Sequence, residues 1–161
     1  MANNVTEIQL AVTNEGLESI IDSLVDASPI TISTFRICNL GNTIWFNSIK
    51  QYKGLDPDVF YLPYSAADFQ ADRGINIINL YSYGIADING FIPINSIIKD
   101  NAVTMEMDCY VPPTVGLSFQ TNEIMLYTGS VGNYESFLYG IFPMITKDAK
   151  YGLNLRLILQ L

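Results

Sequence analysis

Leu153-Asn154-Leu155-Arg156-Leu157-Ile158-Leu159-Gln160-Leu161 is the stretch whose reading decides the fold. Leucine holds every odd position, while Asn154, Arg156 and Gln160 hold even ones. A period of two belongs to a strand, and it puts Leu153, Leu155, Leu157, Leu159 and Leu161 on one face. Fully burying each leucine stabilises by roughly 1.5–3 kcal/mol. A strand with such a face needs a cover for its leucines and a partner for its backbone edge. Two readings satisfy that need. Either this is a core strand of its own domain, or part of the face or edge is closed by another copy of the chain, which makes the five leucines a candidate assembly interface.

Two further apolar runs precede it: Glu123-Ile124-Met125-Leu126-Tyr127-Thr128-Gly129 and Phe137-Leu138-Tyr139-Gly140-Ile141-Phe142-Pro143. Earlier, Val103, Met105, Met107, Cys109 and Val111 alternate with Thr104, Glu106, Asp108 and Tyr110, a nine-residue strand pattern ended by Pro112-Pro113. Val115, Leu117 and Phe119 alternate briefly after it. Ile30 and Ile32 share one phase and Phe35 and Ile37 the other, which predicts a bulge near Ser33-Thr34 or a strand buried on both faces. Thr43 to Ile49, with Trp45 beside Phe46, reads as the next strand after a turn at Asn39-Leu40-Gly41-Asn42. Gly74 opens a β-rich half, with Ile75, Ile77 and Asn79 alternating against Asn76, Ile78 and Leu80. Tyr81-Ser82-Tyr83-Gly84 follows. Asn89-Gly90, in the turn Asp87 to Gly90, predicts a hairpin of type I′.

One segment has helical periodicity. Leu17, Ile20, Ile21, Leu24 and Val25 follow i, i+3, i+4, i+7, i+8 across about Asn14 to Val25. Thr13 caps its first turn, and Glu15 suits the positive end of the helix dipole. The stripe predicts packing on a sheet, with Glu18, Ser19, Asp22 and Ser23 wet. Proline at position 16, inside the first turn, is expected to be tolerated better than proline at 21. Met1 to Leu10 reads as a leading arm or a first edge strand. The fold class expected is α+β, mostly antiparallel sheet of about seven or eight strands, with one main amphipathic helix near the N-terminus. The length of 161 residues suits a single domain spanning residues 1–161.

Lys50 to Arg73 reads as a long irregular connection broken by Gly54, Asp56-Pro57, Pro63 and Asp72, with a short helix at Ser65 to Gln70. It holds Tyr52, Phe60, Tyr61, Leu62, Tyr64 and Phe69, so it packs down or binds something. Tyrosine joins apolar area to a polar tip. Tyr52, Tyr61 and Tyr64, together with Tyr81 and Tyr83, are therefore either half-buried sheet aromatics or contacts to a protein partner or glycan.

The composition excludes more than it identifies. Only 15 % of residues are charged and 49 % are hydrophobic, which is not the signature of disorder. A net charge of −8, with eight scattered Lys and Arg, opposes binding to nucleic acid and to an anionic membrane surface. There is no apolar run long enough for a transmembrane helix. Met1-Ala2-Asn3-Asn4 lacks the parts of a signal peptide, which predicts synthesis in a cytosol. In that compartment Cys38 and Cys109 are expected as buried free thiols rather than a disulfide. There is no histidine, so the commonest general base and metal ligand is missing. Nucleotide, redox and serine-hydrolase motifs are absent, and no enzymatic activity, cofactor or metal is expected. Glu106 and Asp108, about 7 Å apart on one strand face by the strand rise, are the best carboxylate pair for glycoside hydrolysis. A solvated strand face is the preferred reading, since any alternating strand with two acids gives such a pair. Asp56, Asp58, Asp68 and Asp72 are the acids that the long loop could group around a calcium ion, but their spacing does not fit an EF-hand.

The two ends of the chain also resemble a known family. Glu123, Ile124, Leu126, Tyr127, Leu138, Gly140, Pro143, Lys147, Gly152 and the leucines from 153 on are similar to the end of the N-terminal, baseplate-anchoring domain of bacteriophage tail-collar fibre proteins. Leu10-Ala11-Val12-Thr13-Asn14-Glu15-Gly16-Leu17 and Pro29 to Ile37 look like that family's opening, a Thr-x-x-Gly-Leu helix followed by a strand. The middle, about 40–110, lies outside the resemblance. Met125 stands where the family often has glycine, and family members usually continue into a fibre shaft beyond the point where this sequence ends. The resemblance implies a virion structural protein of the tail, made in the host cytoplasm, that attaches or adapts a fibre to the baseplate. It implies tail or baseplate proteins and a fibre chain as partners, and a homo-oligomer, with a trimer favoured. Either the shaft is a separate chain and this one an adaptor, or the chain is cut. The contrasting reading is a small carbohydrate- or receptor-binding module using the Tyr-rich middle.

Overall fold

The computed structural model describes residues 3–4, 9–27, 29–52, 60–130 and 132–160. In chain order the elements are β1 (Asn3–Asn4), β2 (Gln9–Val12), α1 (Asn14–Asp26), β3 (Ile32–Cys38), α2 (Thr43–Ile49), β4 (Gln51–Tyr52), β5 (Phe60–Tyr61), α3 (Ala66–Arg73), β6 (Ile92–Pro93), β7 (Ser96–Asn101), β8 (Thr104–Val111), β9 (Phe119–Thr128), β10 (Glu135–Lys147) and β11 (Leu153–Gln160). The class is α+β with mostly antiparallel sheet. Eleven strands and three helices stand among the described residues, more than the seven or eight strands and one main helix expected.

Two sheets carry the fold. One has the order β1-β11-β8-β7 and the other β2-β10-β9-β3-β6, while β4 and β5 form a separate two-stranded ribbon. All pairings are antiparallel except β1 with β11, which run parallel over two residues. The five-stranded sheet is the middle layer. One of its faces meets the four-stranded sheet, where Phe35, Ile37, Ile124, Leu126 and Leu138 pack with Met107, Cys109, Val111 and the leucines of β11. Its other face carries Cys38, Met125, Tyr127 and Tyr139, covered by Phe46 of α2, Phe69 of α3 and Leu62, Tyr64 and Ile77 of the connections. Burial on both faces explains why β3, β9 and β10 read as unbroken apolar runs rather than as alternations. The register shift expected near Ser33-Thr34 falls between Ile32 and Thr34 of β3. A second shift, between Ile141 and Ile145, takes up Pro143, which has no N–H to give the ladder.

Several local readings are overturned. Thr43 to Ile49 is helix α2, not a strand: the Asn42 side chain accepts from Trp45 N at 3.0 Å, and Phe46 is its fully buried residue. Capping chemistry and the i, i+1, i+4 set Trp45, Phe46 and Ile49 outweigh β-propensity in so short a segment. Gly74–Asn76 and Tyr81–Tyr83 are 3₁₀ turns, not strands, and only Ile77 and Leu80 of that stretch are buried apolar residues. The turn at Asp87 to Gly90 exists but is not type I′. Positive φ occurs at Gly90 and not at Asn89, and the Asp87 carboxylate accepts from Asn89 N and Phe91 N, holding the turn through its own side chain. Val103 is exposed in the turn before β8, not part of the inward face.

Helix α1 forms where expected, but it is rolled about its axis. Ile21, Leu24 and Val25 of the apolar stripe are 59 %, 81 % and 76 % exposed, whereas Gly16 is buried and Ser19 and Ser23 are half-buried. The cause is a close approach at Gly16. A Cβ there would lie 2.4 Å from the Phe137 carbonyl oxygen of β10. The glycine side of the helix therefore docks on the sheet, and position 16 is the wrong place for proline.

Candidate functional site

Each residue singled out from sequence has a definite place. Leu153, Leu155 and Leu157 are buried in this chain's own core, Leu159 is partly buried against it, and Leu161 lies outside the described residues. The leucine face is thus closed from within at its first three positions. On the outer face of the same strand, Arg156 bonds both candidate carboxylates: its Nε lies 2.9 Å from Glu106 Oε1 and 3.2 Å from Asp108 Oδ1. Register explains the triad, because Arg156 lies opposite Asp108 and Ile158 opposite Glu106. Two carboxylates sharing one guanidinium form a cross-strand ion cluster.

The tyrosines separate. Tyr64 is 4 % exposed and its hydroxyl donates to Asp72 Oδ2 at 2.9 Å, so it is a core residue and not a surface contact. Tyr61 is half-buried, while Tyr52 is exposed and edges against Phe60, with the Lys50 ammonium over both rings. Of the four aspartates weighed for a cation, Asp56 and Asp58 lie outside the described residues. Asp68 closes the capping box of α3 with Ser65, and Asp72 serves Tyr64. Among the described residues no acidic, thiol or histidine cluster fits a metal ion.

The dense polar chemistry lies elsewhere, under α3. Glu123, fully buried on β9, accepts from Arg73 Nε at 2.5 Å and Nη2 at 2.9 Å, from Leu40 N at 3.3 Å, and from the Tyr139 hydroxyl. Burial works against the Arg73 charge, and the bidentate carboxylate more than offsets it, leaving the guanidinium more basic than usual. This pair ties the last turn of α3 to the centre of the sheet. Lys147 makes a comparable lock. It is fully buried, and its ammonium donates to the carbonyls of Val115, Leu117 and Asp148 at 2.7, 3.2 and 2.9 Å. Burial lowers its pKa from the ordinary value.

Arg36 differs from both. It is 2 % exposed, at the centre of β3, and no carboxylate pairs with it among the described residues. Its Nε donates to the Tyr127 hydroxyl at 3.0 Å and its Nη1 to Gln70 Oε1 at 2.7 Å, with a long contact to Asn89 O at 3.5 Å. The guanidinium carbon lies 4.3 Å from the centre of the Phe91 ring and 5.2 Å from that of Tyr127. A charge held by rings and neutral acceptors was not legible in the sequence, where Arg36 sits inside a β-branched run.

No family model, curated protein or solved structure matches this chain. No described helix is long and apolar enough to cross a membrane.

Proposed function

We propose that this chain is a virion structural protein that attaches or adapts a tail fibre to a phage tail baseplate. It would act as a homo-oligomer, with a trimer favoured, together with baseplate proteins and a fibre chain. The observation that supports the reading most is the meeting of the two resembling ends. β2 pairs with β10, and Gly16 of the Thr-x-x-Gly-Leu opening sits on the Phe137 carbonyl of the closing segment. The residues of the closing motif also do structural work. Glu123 holds α3, Tyr127 holds Arg36, Lys147 gathers three carbonyls, and Gly152 approaches so near that a Cβ would lie 3.0 Å from the Val111 carbonyl oxygen. Such a motif suits a rigid mount better than a catalyst. With Leu153, Leu155 and Leu157 turned inward, the described residues of β11 that remain for an assembly contact are the partly buried Leu159 and the outer face, where Ile158 is exposed.

The test is the absolute mass of the purified chain, by light scattering behind a sizing column. A particle near three times 17.9 kDa is expected. A clean monomer at micromolar concentration would remove the trimeric anchor and leave only an adaptor that gains its neighbours on the tail. The alternative, a carbohydrate- or receptor-binding module, keeps one favourable observation, the exposed Tyr52 beside Phe60 and Lys50. A glycan array would decide for it if specific binding appeared and vanished in Tyr52→Ala and Tyr61→Ala.

A further inference from the structure

Arg36 lines an open cleft of about 420 Å³ between the end of α3 and the Asp87 to Gly90 turn. Gln70, Asn79 and Asn89 contribute polar groups to its lining, and Ile75 and Ile88 stand in the same lining. Ile75 is fully exposed and Ile88 is 68 % exposed. The only sealed side-chain polar atom without a partner among the described residues is Thr34 Oγ1. Among the described residues Arg36 Nη2 has no hydrogen-bond partner, and Arg36 stands in the lining of the cleft. A buried guanidinium normally has a carboxylate in a matching fork, as Arg73 has in Glu123. Here the fork is half used, and among the described residues no acid completes it.

We propose that this cleft docks a segment of a partner polypeptide that presents one Asp or Glu side chain between apolar residues. The carboxylate completes the Arg36 fork, and the flanking apolar side chains cover Ile75 and Ile88. Charge complementarity and the bare rim together select this occupant. A free small anion would satisfy the arginine but leave both isoleucines in water. The inference deepens the attachment reading, since it names the chemistry by which a tail or fibre partner would be held.

The probe is the blocked peptide acetyl-Ala-Ile-Glu-Ile-Ala-amide, titrated into the isotopically labelled chain and followed by the side-chain amide signals of Gln70, Asn79 and Asn89. Saturable shifts are expected with the glutamate peptide, and binding at least tenfold weaker with the glutamine counterpart. Arg36→Gln should abolish the difference between the two peptides. Because that variant removes buried hydrogen bonds and could unfold, Ile75→Asp serves as the second. It changes a fully exposed side chain and should weaken the glutamate peptide at least fivefold. Equal binding of the two peptides, no binding of either, or unaltered binding by Ile75→Asp would overturn the proposal. So would sodium acetate reproducing the same shifts at the same concentration, which would make the site a general small-anion site. The mass measurement fails or succeeds independently. A monomer with a positive titration would sink the trimeric anchor and keep the cleft, and a trimer without peptide binding would do the reverse.

Discussion

Gly16 and Glu123 show how much rests on single residues here. At Gly16 the Phe137 carbonyl stands where a Cβ would go, so Gly16→Ala forces α1 off the sheet even though alanine is the better helix former. Overpacking of this kind costs about 1–3 kcal/mol, and a lower melting temperature by calorimetry is the expected result. Leu24→Ala, on the exposed side of the same helix, should stay within about 0.5 kcal/mol of the parent. A reversed order would mean that the stripe, not the glycine, is the docking face. At Glu123 the asymmetry is electrostatic. Glu123→Gln leaves the Arg73 charge buried without its counter-ion, a loss of about 3–5 kcal/mol. Tyr139→Phe removes one hydrogen bond from the same charged carboxylate and should cost about 1.5–3 kcal/mol. Denaturant unfolding of the two variants separates them, and equal midpoints would contradict the pairing.

At the scale of elements, legibility followed the number of faces that each element buries. β8 and β11 bury one face, and their alternation marked them as strands and named their inward residues from sequence, Val103 excepted. β9 and β10 bury both, so their runs announced strands but concealed that Ile124 and Leu126 face one core while Met125 and Tyr127 face the other. Glu123, at the head of such a run, was noticed as part of a motif, but nothing local pointed to Arg73, fifty residues away in chain order. α2 was misread because seven apolar-rich residues fit either period, and the deciding bond is a cap at Asn42. Arg36 is silent in the sequence because a lone cation in a strand carries no local sign of the aromatic cage built by distant Phe91 and Tyr127. The strand assignment for β11 has a direct check. Leu157→Asp puts a charge into the core and should abolish folding, whereas Ile158→Asp, one residue along and exposed, should fold and melt near the parent. Similar melts for both would break the register.

At the scale of the whole molecule, the two-faced central sheet concentrates groups that resist ionisation. Burial raises the pKa of the Tyr64, Tyr127 and Tyr139 phenols above the ordinary 10.0, with nearby Glu123 adding to the effect at each. Burial likewise raises the Cys109 thiol, and it pushes Cys38 up to about 11, again helped by Glu123. The unfolded chain ionises these groups near 9.0 for the thiols and 10.0 for the phenols, while the folded chain keeps them protonated. Above pH 9 the unfolded state therefore binds fewer protons than the native state, and stability falls as pH rises. The contribution is fully present below pH 9 and is lost on passing through the raised native values. Urea midpoints measured from pH 7 to pH 11 should stay level on account of these groups to about pH 9 and then drop. The phenolate absorbance of Tyr64, Tyr127 and Tyr139 should appear together with unfolding rather than before it. The thiols give an independent reading: a colorimetric thiol reagent at pH 8 should find neither cysteine in the native protein and both in urea, since each is buried. The full phenolate absorbance of all ten tyrosines reached in a still-folded chain, or native Cys38 reacting at the rate of free cysteine, would mean that the layer formed by α2 and α3 does not seal the second face of the central sheet.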